Sequence, residues 1–142
     1  MIQRKQTLFL LAVAIIGILL IFIPFQTFQD GIFNFPIRLF PDELGESNKY
    51  IVMSIDYIII ILSFITIFQY KNRVLQYKLA NSLVLANITL LALFFLLNYV
   101  HQEAASYSFG AFLPIIGAIF AFLAGHFIKK DEQLVRSSDR IR

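Results

Sequence analysis

The chain has 142 residues, of which 58% are hydrophobic and only 15% charged, and its mean hydropathy is +0.74. That balance excludes an ordinary water-soluble domain and makes lipid the expected solvent. The net charge of +3 is small, so the placement of the charges matters more than their sum, and the absence of cysteine excludes disulfides, thiolate chemistry and cysteine-bound metal.

The chain opens on the basic stretch "MIQRKQT", followed by the apolar run Leu8 to Ile23. A cleaved leader would begin the same way, but no small-x-small cleavage site follows Ile23. The next residues are "PFQTFQDG", so the segment is read as a retained anchor. The first helix is expected over 7–28, running on through Pro24, because lipid-embedded helices tolerate a proline near their ends and aromatic and polar residues suit the interface.

The connection 29–49 is the one sizeable loop. Its prolines and glycines argue against a long regular element, while Phe33, Phe35 and Phe40 with Ile32, Ile37 and Leu39 argue against a solvated linker. It is expected on the membrane surface or across the helix ends, with a partner-binding loop as the other reading. Three more helices are expected over 50–70, 79–100 and 109–128, joined by short connections, and a short cytoplasmic tail helix over 129–142. The apolar runs of the four segments cover roughly 24 to 33 Å at 1.5 Å per residue, enough for a hydrocarbon core of about 30 Å.

Arg4, Lys5, Lys71, Arg73, Lys78, Lys129, Lys130, Arg136, Arg140 and Arg142 fall on one side of such an arrangement, whereas Arg38 and Lys49 fall on the other beside Asp30, Asp42, Glu43, Glu46 and Glu103. The positive-inside rule then places both termini in the cytoplasm. The expected fold is an all-α membrane protein, a single antiparallel four-transmembrane-helix bundle in the inner membrane.

Asp56 lies inside the second apolar run. An ionised carboxylate in lipid is costly, so Asp56 is expected to face the bundle interior and to be neutral or hydrogen-bonded there. Candidate partners are Tyr57 beside it and Asn98, Tyr99 and His101 at the outer end of the third helix. Asn87 and Asn98 are eleven residues apart, about 20° around a helix, so they share a face. Asp56, Asn87, Asn98 and His101 thus form a candidate intramembrane polar cluster, either glue between helices or a site for a proton or ligand.

On the fourth helix Gly117, Ala121 and Gly125 repeat every four residues and form a close-packing face. His126 has no His, Cys or carboxylate at i±3 or i±4, so no metal or cofactor site is expected there. In the tail, Glu132 and Arg136 are an i, i+4 pair, and Lys130, Asp131, Glu132, Arg136, Asp139 and Arg140 make a candidate partner-binding surface of mixed charge.

The two ends, "MIQRKQTLFLL" and "KKDEQLVRSSDRIR", around four apolar spans resemble a family of small four-span bacterial inner-membrane proteins known as domain of unknown function 4293. The resemblance covers the whole chain. It implies the topology and carries no activity; its one hint is that Arg4 and the stretch Lys130 to Arg142 are put to use.

No nucleophile and base at motif spacing, metal-ligand set or phosphate-binding glycine loop is present, so no enzyme is expected, and topology accounts for the basic residues without nucleic acid. The expected role is an accessory, assembly or interaction subunit of a larger membrane complex, with lipids and a membrane-protein partner or a second copy as its contacts. The alternative is a small proton- or ligand-responsive transporter or sensor component using Asp56.

Overall fold

The computed structural model describes residues 5–23, 26–28, 46–101, 105–107 and 109–139. In chain order these form α1 (Lys5–Leu20), β1 (Gln26–Phe28), α2 (Glu46–Phe68), α3 (Arg73–His101), β2 (Ala105–Tyr107), a 3₁₀ turn (Phe109–Phe112) and α4 (Leu113–Asp139). Three stretches are long and apolar enough to cross a membrane: Ile51–Phe68, Arg73–Leu96 and Phe109–Val135. α1 is apolar from Leu8 onward, but its 16 residues reach only about 24 Å.

The first helix therefore stops eight residues short of the expected end at 28. Its last turn tightens, with the amides of Ile21 and Phe22 donating to the carbonyls of Ile18 and Leu19. Pro24 then lacks an N–H and disfavours helical geometry in the residue before it. The chain turns and enters an extended segment that the sequence reading did not anticipate: Gln26, Thr27 and Phe28 pair antiparallel with Tyr107, Ser106 and Ala105. This short ribbon ties the chain after α1 to the chain before α4. Of the expected loop 29–49, residues 46–49 belong to α2 and the others lie outside the described residues.

α3 begins at Arg73 rather than 79, and the cause is a cap. The Oδ1 of Asn72 accepts the Leu75 amide at 3.1 Å, while its carbonyl accepts the Gln76 amide at 2.9 Å. The asparagine satisfies a donor that the first turn of a helix would otherwise leave open. Asn72→Ala is expected to lower stability by about 1 kcal/mol, measured as a shift of the unfolding midpoint in detergent micelles. α4 runs from Leu113 to Asp139 without a break, so the expected span and most of the expected tail are one helix.

α1 packs against α2 and α4, and α3 packs against the same two helices. The buried positions on α2 are Val52, Asp56, Ile59, Ser63 and Thr66; on α3 they are Gln76, Ala80, Leu83, Asn87, Leu90 and Phe94. Both series step by four and three residues, the spacing of a narrow inter-helix seam. Polarity is inverted relative to a soluble protein. The inner stripe of α2 holds a carboxylate and two hydroxyls, while Ile51, Ile58, Ile61, Phe64, Ile65 and Phe68 are exposed on its outside. Among the three long helices α4 is the most enclosed, with 44% of its apolar stretch buried against 28% for α2 and for α3. Its small residues Gly117, Ala121, Ala124 and Gly125, all buried, let its neighbours approach closely.

Candidate functional site

The interior polar groups form two levels. At the first, Asp56 of α2 is 3% exposed and faces α1, where a methyl group added at Gly17 would lie 3.5 Å from its Oδ1 and 2.6 Å from Cγ1 of Ile60. Asn87 of α3 is buried and donates through Nδ2 to its own helix, to the carbonyl of Leu83 at 2.9 Å. Its Oδ1 is pressed against α4, 2.5 Å from the position a methyl would take at Gly117. That same position is 3.6 Å from Cγ2 of Ile16. Ile16 and Gly17 are consecutive residues of α1, so Asp56 and Asn87 lie at one height, and all four helices contribute to the layer around them.

The second level holds Gln6, Thr66 and Gln76, all buried. Gln76 Nε2 donates to the Thr66 carbonyl at 3.1 Å, joining α3 to α2. Nearby, Arg73 Nη1 donates to the carbonyl of Asp131 at 2.8 Å, and the Lys129 ammonium stands 6.0 Å from the centre of the Tyr77 ring. Phe9, one turn along from Gln6, stacks on Phe127 of α4 at 5.4 Å, which puts Gln6 at this same end. On α2, Ser63 Oγ, between the levels, donates to the Ile59 carbonyl at 2.8 Å and Thr66 Oγ1, at the second, to that of Leu62 at 2.6 Å.

Three buried side-chain atoms find no hydrogen-bond partner among the described residues: Asp56 Oδ1, Gln6 Oε1 and Gln76 Oε1. All three are acceptor oxygens. Asp56 is also the one ionisable side chain buried among the described residues. Such an interior lacks donors, so what it accommodates chemically is a proton, a water or another hydrogen-bond donor.

Of the four residues expected to cluster, Asp56 and Asn87 lie at one height, Asp56 against α1 and Asn87 against α4. Asn98 and His101 sit in the last turn of α3, but their side chains lie outside the described residues. The tyrosines expected beside Asp56 turn away from it: Tyr57 is 47% and Tyr99 81% exposed, because both fall on the outward sides of their helices. Gly117, Ala121 and Gly125 are buried inside, with Gly117 against Asn87 and Ile16, and Gly125 against Asn81, Ala80 and Tyr77. In the tail, Lys130 is exposed and Asp131 and Glu132 are half-buried, while the side chains of Arg136 and Asp139, and all of Arg140, lie outside the described residues. His126 lines an open surface depression of about 430 Å³ with Lys129, Lys130 and Gln133. Among the described residues no three His, Asp or Glu side chains gather as a metal site.

Gly17, Ser63, Thr66 and Gln76 carry no site expectation from the sequence, and Gln6 enters it only as part of the opening stretch that bears the family resemblance. A signal for part of the set exists: Asp56, Ser63 and Thr66 stand at i, i+7 and i+10, one stripe of a helix. Nothing comparable marks Gln6 or Gly17, whose burial depends on neighbours remote in sequence.

No curated protein and no solved structure matches the chain. The family that does match it, over residues 2–141, is the one described as Domain of unknown function (DUF4293), and the chain belongs to that family.

Proposed function

We propose that the protein is a non-enzymatic, multi-pass protein of the bacterial inner membrane, an antiparallel four-span bundle with both termini in the cytoplasm, serving as an accessory or assembly subunit of a larger complex. The order of contacts supports the antiparallel reading. Along α4, Gly117, Gly125 and Asp131 meet Asn87, then Asn81 and Tyr77, then Arg73, so the numbering of α3 falls as that of α4 rises. α1 would complete its crossing with the apolar residues Ile21, Phe22 and Ile23. The basic residues Lys5, Arg73, Lys129 and Lys130 gather at one end, in keeping with a cytoplasmic side.

The observation that carries the subunit reading is the unbroken run of α4 beyond Ile128. From residue 129 to 139 the helix continues for about 16 Å with a largely polar surface, along which Leu134 and Val135 stay exposed. A helix projecting in this way, with two apolar side chains among charges, offers a partner a ready edge. Affinity purification from native membranes is the test. The full chain is expected to bring down a membrane-protein partner in fixed ratio, and a chain ending at Lys130 is expected to lose it while keeping its helical content. Recovery of the full chain alone, in mild detergent and in lipid nanodiscs alike, would rule the reading out.

A second reading, that the protein responds to a proton or ligand at Asp56, is favoured by one observation: the Asp56 carboxylate is enclosed by four helices with an oxygen that no described residue pairs. Under it, Asp56→Asn abolishes the response without unfolding the chain.

A further inference from the structure

We propose that Asp56 is a reversible proton-binding site loaded from the Gln6 and Gln76 end of the helices, through water held along the α2 stripe Thr66, Ser63, Asp56. This rests on the second reading above and adds to it the ligand and the side from which the ligand comes.

The ligand follows from the chemistry of the unpaired atoms. Asp56 Oδ1, Gln6 Oε1 and Gln76 Oε1 are acceptors, each on a side chain at least nine-tenths buried, so they complement a donor and repel an anion. Oxygen-bound divalent cations take six or more ligands, and neither level gathers that many unpaired oxygens. A proton needs only one. In the step itself, the Asp56 carboxylate takes a proton from hydronium, an O–H bond forms, the hydronium O–H bond breaks and water remains; release reverses it. No titratable or charged side chain on a described residue faces Asp56 from α1, α3 or α4. The buried residues of those helices are apolar apart from Gln6, Gln76 and Asn87, and Lys5, Arg73, Lys78, His126 and Lys129 all lie toward the Gln76 end. Among the described residues no cation stands beside Asp56, and the proposal assigns the neutralising charge to the proton.

The route follows from the placement of the polar groups. Asp56 and Thr66 are ten residues apart, about 15 Å along the helix, too far for one transfer. Ser63 stands between them on the same stripe. Both hydroxyls donate to their own helix, which leaves their lone pairs turned to accept from water. In the other direction the buried positions on the α2 stripe reduce to Val52 and those on α3 to Leu90 and Phe94, with no buried polar group among the described residues. Water is held by polar partners and not by such apolar walls.

Infrared difference spectroscopy on the full chain, inserted in one orientation in liposomes, tests both parts. A protonated-carboxyl band that comes and goes reversibly with pH, and vanishes in Asp56→Asn, is the expected result. If no such band changes between about pH 4 and about pH 10, the reading of Asp56 as a responsive group fails, and the inference with it. A band that shifts with sodium at constant pH makes the ligand a metal cation and overturns the proton assignment. With the band established, a pH step in the compartment facing Lys5 and Lys130 is expected to register first; a faster response from the opposite compartment overturns the route alone. Gln76→Leu and Gln6→Leu are each expected to slow the response about tenfold, the rate equivalent of roughly one net hydrogen bond. Unchanged rates in folded variants also overturn the route, and should the variants fail to fold, the sided experiment on the unaltered chain decides it.

Discussion

Alanine at Gly17 is expected to destabilise the helix assembly more than alanine at Gly117, and alanine at Gly125 not at all. Taken by itself, Gly→Ala inside a helix is favourable by about 1 kcal/mol, so any loss measures tertiary crowding. At Gly17 the new methyl would meet Cγ1 of Ile60 at 2.6 Å. That atom belongs to a β-branched side chain whose χ1 is nearly fixed in a helix, so relief requires α1 and α2 to separate. At Gly117 the methyl would meet Asn87 Oδ1 at 2.5 Å and Cγ at 3.2 Å. Turning the amide about χ2 moves Oδ1 but leaves Cγ crowded, so χ1 must change and the bond to the Leu83 carbonyl breaks. Overpacking of this kind costs about 1 to 3 kcal/mol, with Gly17→Ala toward the upper end. At Gly125 the nearest atom stands at 3.4 Å, an ordinary contact, and the propensity gain remains. Thermal unfolding of the three variants in one detergent checks the order. Ile60→Ala should rescue Gly17→Ala, and Asn87→Ala should rescue Gly117→Ala, each with a coupling of about 0.5 to 3 kcal/mol. Equal losses at Gly117 and Gly125 would mean that small size along α4, and not these specific contacts, sets the packing.

That ranking marks how far the sequence could be read. The three long apolar helices, the continuation of the fourth into a polar tail and the prominence of Asp56 are legible, because length and charge need only local information. The rotation of each helix is not. Where lipid is the solvent, the outward side is as apolar as the core, so the usual contrast that orients a helix is nearly absent. Tyr57 and Tyr99, candidate partners of Asp56 by sequence adjacency and by depth, face outward. Gly117, Ala121 and Gly125 read as one uniform strip, yet the neighbours that distinguish them, Asn87 and Ile16 at one end and Asn81 and Tyr77 at the other, come from other helices. The end of α1 is hidden for a different reason. A proline is tolerated near the end of a lipid-embedded helix and yet restricts the residue before it, so local sequence allows either outcome, and the extended pairing with Ala105–Tyr107 is a non-local event that no period in residues 20–28 announces.

Asp56→Leu is expected to fold at least as stably as the unaltered chain, and Asp56→Lys to fail to assemble. The first expectation follows from what Asp56 lacks. Removing one partner of a satisfied buried hydrogen bond costs about 1 to 3 kcal/mol, but Asp56 Oδ1 has none to lose, and an apolar side chain of similar size removes a desolvated polar group from the interior. The second follows from charge. Lysine would bring an ammonium against Gly17 and Ile60, where the carboxylate now sits and no anion among the described residues is near; charged side chains at mid-membrane cost about 2.5 to 3.5 kcal/mol even by the mildest scale. Asp56→Asn keeps the shape and should leave the unfolding midpoint nearly unchanged. The three variants separate the meanings of this residue when unfolding in detergent is measured alongside growth or transport phenotype. A residue that only fixes the order of the helices should lose stability in Asp56→Leu. A residue kept for a task should gain or hold stability there while the phenotype is lost, since carboxylates within membrane spans are costly and mark sites whose protonation or binding is used.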